Sequence, residues 1–281
     1  MSSLERTRQI LEDAFAGRLP LDDGEVATAF EALLSALETG AARAASPAAG
    51  GDWEVHAWVK AGILVGFRSG RVVDFSAGGP FCYFDKHNLP PQPLQLEQHV
   101  RIVPGGTSIR RGAHLSENVI VMPPAYVNVG AFVDCDTMID SHALVGSCAQ
   151  VGRSVHVSAA AQIGGVLEPP GARPVILEDE VLVGGNCGIY EGTLVRRRAV
   201  LGAGVVLTAS TPVYDLPNQR ILRAEPGRGL EIPAGAVVVP GARRAAGDFA
   251  AAHGLALATP VIVKYRDEKT DARTALESAL R

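Results

Sequence analysis

Two charged residues stand where they could do chemistry. Asp140 sits in TMIDSHALVGSCAQVG, directly after Ile139 and among small residues. A carboxylate placed there can accept a hydrogen bond from an amine nucleophile and draw off its proton. It can equally tie a corner together by bonding backbone amides. Arg101 lies in HVRIVPGG. Its planar fork suits a carboxylate, which it grips with two charge-assisted bonds, although a surface arginine at a domain junction would read the same way. Three histidines, His114, His142 and His156, lie in the same half of the chain, 28 and 14 residues apart. His142 is placed to share a cleft with Asp140. Arg196-Arg197-Arg198, and Arg243, Arg244, Lys264 and Arg266 further on, could attract the phosphates of a nucleotide-like ligand or stay as solvated basic corners.

These residues are carried by a strict six-residue repeat. From Val103 every sixth residue is a branched aliphatic: Ile109, Leu115, Val121, Val127, Val133, Ile139, Val145, Val151, Val157 and Ile163. The phase breaks at 164–176 and resumes at Leu177, Val183, Ile189, Val195, Leu201 and Leu207. Four residues after each aliphatic comes a small or β-branched residue, such as Ala113, Ala131, Thr137, Ala149, Ala161, Cys187 or Ala199. The aliphatic points inward from a short strand and the small residue fits the crowded corner. Three such units close a triangular coil, which predicts a hexapeptide-repeat parallel β-helix and a mainly β fold. Asp140 follows an inward residue and so faces out. The 39 residues between Arg101 and Asp140 amount to two coils and half a face. At a coil spacing of about 4.8 Å that separates them by roughly 10 Å along the axis. A dicarboxylate could bridge such a gap. The histidine spacings do not bring three rings to one corner of one prism, so no zinc site is expected.

The flanks divide the chain into three parts. Apolar residues at helical spacing predict helices over 4–16 and 24–39, ended by Gly17 and Gly40. Residues 41–51 read as a loop, 53–67 as a helix turning into a strand, and 83–93, with three prolines, as an irregular connection. An α-rich N-terminal domain over 1–98 is therefore expected to cap the open end of a β-helix over 99–240. The insertion GGVLEPPGARPVI at 164–176 must be ejected as a loop. Weak repeat units return at Ile232 and Val238. A C-terminal part over 241–281 holds a strand at 255–265 and a short amphipathic helix at 270–281. Net charge is −4, which gives no field for nucleic acid, and no apolar run reaches the length of a membrane span. Cys82, Cys135, Cys148 and Cys187 form no CxxC pair, and the start MSSLERTRQI has no apolar leader. Reduced thiols and a cytoplasmic protein are expected.

The tract at 122–169, MPPAYVNVGAFVDCDTMIDSHALVGSCAQVGRSVHVSAAAQIGGVLEP, resembles the tetrahydrodipicolinate N-succinyltransferases of bacterial lysine biosynthesis. The resemblance extends to WEVHAWVKAGILVGFR, YFDK, HVRIVPGG and VIVKYRDEKTD, and so spans nearly the whole chain. It implies a left-handed β-helix, a homotrimer with sites between subunits, and succinyl transfer from succinyl-CoA, as co-substrate, to the amino group of the ring-opened dicarboxylate. It also implies that Arg101 and Asp140 bind the substrate and that Asp140 serves catalysis. Backbone N–H groups near Gly146 or Gly165 would steady the thioester oxyanion, with Lys264 as a further contact to CoA. No permanent cofactor or metal is implied. The chain departs from the family pattern in two places. Ser141-His142 replaces the usual Thr-Trp, and Gly188 occupies a position where an acidic residue often stands, leaving Glu191 as a candidate second carboxylate. LEPPGARPV is also similar to the loop of sister N-acetyltransferases, so an acetyl-CoA enzyme and a non-catalytic hexapeptide scaffold are the alternatives.

Overall fold

A computed structural model describes residues 2–79 and 81–267. The expected C-terminal helix lies outside the described residues. The hexads fold as a three-sided prism of parallel two-residue strands. Sheet A contains Arg101–Ile102, Ile120–Val121, Met138–Ile139, His156–Val157, Leu182–Val183 and Val200–Leu201. Sheet B contains Ser108–Ile109, Tyr126–Val127, Leu144–Val145, Gln162–Ile163, Gly188–Ile189 and Val206–Leu207. Sheet C contains His114–Leu115, Phe132–Val133, Gln150–Val151, Ile176–Leu177, Leu194–Val195 and Glu231–Ile232. The second residue of nearly every strand points inward, and these aliphatics form one continuous core with the small corner residues. Ile232 and Val238 return to the stack beside Val195 and Leu201.

The first rung departs from the sequence phase. Ile102, not Val103, is in register with Val121. One extra residue is taken up in the turn at Gly105 and Gly106, whose φ values of 144° and 91° need glycine. Arg101 is therefore already part of the coil, in line with Ile120 and Met138.

Most corners turn at the third residue after the inward aliphatic, and that residue is left-handed; the corner after Val121 turns instead at Pro123-Pro124. Gly112, Asn118, Gly130, Asp136, Asn186, Gly192 and Gly204 fill this position, as do His142, Cys148, Ser154 and Ala160. Glycine, which has no β-carbon, reaches this conformation at little cost, and asparagine and aspartate tolerate it better than other side chains do.

Three helices precede the prism: α1 (Ser3–Phe15), α2 (Gly24–Glu38) and α3 (Ala57–Ser69). Ser2 and Glu5 form a capping box at α1, and Asp23 caps α2. The apolar stretch at 53–67 runs strand first, at Trp53–Val55, and then helix. The short strand pairs with Ala45–Pro47 in the segment expected to be a loop. The helices do not cap the prism end. They pack along the corner between sheets B and C, where Val129 and Cys148 join Leu11, Leu33, Leu34, Leu37 and Ile63 in a second core. Arg111 reaches Glu31 and Glu38, fixing α2 there. At the open end it is Leu94 and Val100 that lie against the prism core. At the other end Ala236–Arg244 and Ala256–Tyr265 form an antiparallel hairpin on sheet A. No helix among the described residues is long and apolar enough to cross a membrane.

Ala160 sits at a corner with φ of 57°. Ala160→Gly should stabilise the chain by about 1 kcal/mol through relief of the left-handed backbone. Urea unfolding of the two proteins measures this, and an unchanged or lower stability would contradict the corner geometry.

Candidate active site

Sheet A places Arg101 and Asp140 on one outer surface. Arg101 is exposed and aligned with Met138 two strands away, and Asp140 follows Met138 by two residues. The separation along the axis is therefore about two strand spacings, roughly 10 Å. Asp140 divides its carboxylate between two tasks. Oδ1 accepts the Ser141 N–H at 2.7 Å, as expected of a corner aspartate. Oδ2 lies 4.0 Å from Nε2 of His156, which is 7% exposed on the next strand of the same sheet. The histidine beside Asp140 is thus His156. His142 takes the left-handed corner and is exposed. His114 belongs to sheet C, where it bonds the Glu38 carbonyl through Nδ1 at 2.8 Å and stacks on Phe132. The signal for His156 was its spacing: eighteen residues after Met138 puts it on the strand alongside.

Sheet B carries a cavity of about 1000 Å³. Its walls include Leu144, Gly164, Gly165, Tyr190, Glu191 and Arg173, with Leu64 of α3 and Gly227 and Gly229 at the rim. The ejected loop forms one side and is pinned at several points. Leu167 packs into the helical core, and Val166 N–H bonds the Ser147 carbonyl at 3.2 Å. Lys60 of α3, fully buried, donates from Nζ to the Ala172 carbonyl. Arg173 donates to the carbonyls of Gly192 and Leu230 and to Glu231 at 2.8–3.0 Å. Gly146 and Gly165 meet backbone to backbone, since a β-carbon on Gly146 would strike the Gly165 nitrogen.

The other candidates distribute as follows. Glu191 lines the cavity and accepts the Ala209 N–H at 2.7 Å. It stands at the corner after sheet B, whereas Asp140 stands at the corner before it, so the width of a prism face separates the two carboxylates within one chain. Gly165 lines the cavity. Gly146 does not, and its N–H is committed to the Ile163 carbonyl at 2.7 Å, which removes it as an oxyanion donor. Lys264 is in register with Val237 at the far end of sheet A, five strands from Met138, and pairs with Asp267 at 2.9 Å. It does not approach Asp140. Arg196 is used internally, bonding Glu178 and Glu231 at 3.0 Å. Tyr190, which the sequence reading passed over, forms part of the cavity floor.

Parallel hexad coils around an aliphatic core define a protein of the hexapeptide-repeat class. Residues 6–69 match the family model described as the N-terminal part of tetrahydrodipicolinate N-succinyltransferase, and residues 174–209 match the hexapeptide repeat of succinyl-transferase. The chain is 39% identical over 287 residues to the 2,3,4,5-tetrahydropyridine-2,6-dicarboxylate N-succinyltransferase of Afipia carboxidovorans, covering 100% of this chain and 99% of that one. It is 42% identical over 293 residues to the enzyme of the same name from Legionella pneumophila, covering 100% and 98%. A solved structure, titled a putative 2,3,4,5-tetrahydropyridine-2-carboxylate N-succinyltransferase from Campylobacter jejuni, aligns with a TM-score of 0.43 and 17% identity over 84% of this chain and 62% of its own. The chain belongs to the tetrahydrodipicolinate N-succinyltransferase family. Its β-helix is the left-handed one, an exception to the right-handed crossover rule.

Burial pushes the Lys60 ammonium below its ordinary value of 10.5, and it pushes the neighbouring Cys148 thiol up to about 12. Between the lowered value and 10.5 the unfolded chain binds more protons at Lys60 than the folded chain does. The buried charge therefore costs stability at neutral pH, and the cost fades as pH rises through that window. The stability of the wild type relative to Lys60→Met should increase toward alkaline pH. Urea titrations of both proteins test this, and a difference independent of pH would refute it.

Proposed function

We propose that this chain transfers succinyl from succinyl-CoA to the amino group of ring-opened tetrahydrodipicolinate, in the diaminopimelate route to lysine. The observation that carries the reading is the 39% identity over the full length of both chains to an N-succinyltransferase acting on this dicarboxylate. The geometry supports it. A substrate with two carboxylates and an amine suits Arg101 for one carboxylate and Asp140 for the amine. Arg101 supplies the paired N–H groups that fix direction. Asp140 Oδ2 orients the amine and accepts its proton, directly or through water. A thioester is already activated, so no metal is needed to polarise it. The cavity on sheet B, about 1000 Å³, has the volume for the acyl end and pantetheine arm of a CoA thioester.

The acting form in this reading is a homotrimer. Sheet C is covered by the chain's own N-terminal segment, with Arg43 over Phe132, Trp53 bonded to Glu178, and Ala45 packed with Ile176 and Leu194. Sheets A and B keep half-exposed apolar residues on their outer surfaces: Ile120, Met138, Leu182, Tyr126 and Leu144, with Val206 46% exposed. Packing sheet A of one copy against sheet B of the next buries both rows. It also sets one copy's Arg101 and Asp140 opposite another's cavity, across the gap that a single prism leaves. Three copies close the ring.

Purified protein should release CoA from succinyl-CoA only when the dicarboxylate is present, and faster than from acetyl-CoA. The reverse order would overturn the donor. Asp140→Asn should lower kcat by about 10²–10⁴. Arg101→Met should raise KM for the dicarboxylate by roughly ten- to a hundredfold, the equivalent of about 1.5–3 kcal/mol for a charged hydrogen bond. Light scattering should give three times the 29.4 kDa chain mass, and a monomer as the active species would refute the shared site.

A further inference from the structure

The cavity floor is built around Tyr190. After the strand Gly188–Ile189 its ring folds back over the sheet. A β-carbon on Gly188 would lie 2.5 Å from the ring Cε2 and 2.9 Å from the phenol oxygen. A β-carbon on Gly164, one coil away, would lie 2.8 Å from Cδ1. Both glycines are buried. The ring therefore rests on bare backbone, and the missing side chains of two successive coils fix where its hydroxyl sits. Gly188 thus has a reason of its own in this chain: any side chain there would displace the ring.

Side-chain hydrogen-bond donors are scarce around this cavity. Among its lining residues only Arg173 and Tyr190 carry a side-chain N–H or O–H. Arg173 spends Nε and both terminal nitrogens on Gly192, Glu231 and Leu230. The remaining polar side chains are the carboxylates of Glu168, Glu191 and Glu225, which repel developing negative charge. Gly146 N–H is held in the coil ladder. An oxyanion forming here has the Tyr190 hydroxyl as its side-chain donor.

We infer that Tyr190 donates a hydrogen bond to the thioester carbonyl oxygen during acyl transfer. This rests on the reading that the acyl end of the CoA thioester enters this cavity. The amine nitrogen attacks the carbonyl carbon and forms the C–N bond, and the π electron pair moves onto oxygen, where the Tyr190 O–H meets it. Collapse of the tetrahedral species breaks the C–S bond. The thiolate leaves and receives the proton that the amine gave up through Asp140, so the products are amide and CoA thiol. Tyr190 keeps its proton throughout. Its contribution grows as charge develops on the oxygen, so it favours the transition state over ground-state binding.

Tyr190→Phe keeps the ring on its two glycines and removes only the hydroxyl. In single-turnover experiments with succinyl-CoA and tetrahydrodipicolinate, the rate constant for amide formation should fall about a hundredfold. The affinity for CoA, measured calorimetrically, should stay at the wild-type value. A wild-type rate in Tyr190→Phe overturns the inference, and so does a loss confined to CoA affinity. Wild type run alongside separates the two readings. An active wild type with an unaffected variant removes Tyr190 alone, whereas a wild type that releases no CoA from any thioester removes the acyl-transfer reading with it.

Discussion

The structure depends on one constraint: an aliphatic side chain must point inward from each face at the same height as its counterparts in the coils above and below. Burial of these side chains drives the stack, at about 1.5–3 kcal/mol each before chain entropy is subtracted. The hydrogen-bond ladder then fixes the spacing between coils at about 4.8 Å. Everything outward-facing inherits that ruler. Arg101 and Asp140 are held at a set distance because their strands are laddered in register to Ile120–Val121, with Val121 and Ile139 buried in the core. No flexible loop is needed to present either side chain, and little ordering is left for substrate binding to supply.

The ejected loop is the counterpart to this regularity. It leaves a stack that has no interior space and makes the wall of a cavity that the stack alone cannot offer. Its anchors come from far along the chain: Lys60 in α3, Ser147 in the adjoining coil, and Glu231 in the last full coil. The helical N-terminal part therefore serves the cavity by bracing the loop from behind.

Much of this was legible in the sequence because the coil is an arithmetic object. Phase alone puts Asp140 outside and within two coils and half a face of Arg101, and the same arithmetic separates Glu191 from Asp140 by a face. The left-handed corner position was also written in the chain, through Gly112, Asn118, Gly130, Asp136, Asn186 and Gly204 at a constant offset. The one-residue slip at the first rung was less visible, since Ile102 and Val103 are both aliphatic and only the glycines at 105 and 106 mark the extra residue. The seat of the helices was not legible. It follows from contacts such as Gly112 against Leu34 and Gly130 against Ile63, made across long stretches of chain with no local signature. Tyr190 escaped notice for a similar reason: its importance lies in two glycines that stand next to it in space on different coils.

The closing hairpin has a consequence for how the molecule ends. The strand Ala236–Arg244 joins sheet A in the parallel sense, but its outer edge is taken by Ala256–Tyr265 running the opposite way. A further rung of hexads, from this chain or from another molecule, would find that rim already occupied, because Val213–Asp215 and Arg220–Leu222 continue the sheet beyond Ala256–Tyr265. A fold whose geometry could otherwise propagate as a filament is thereby held to a fixed length.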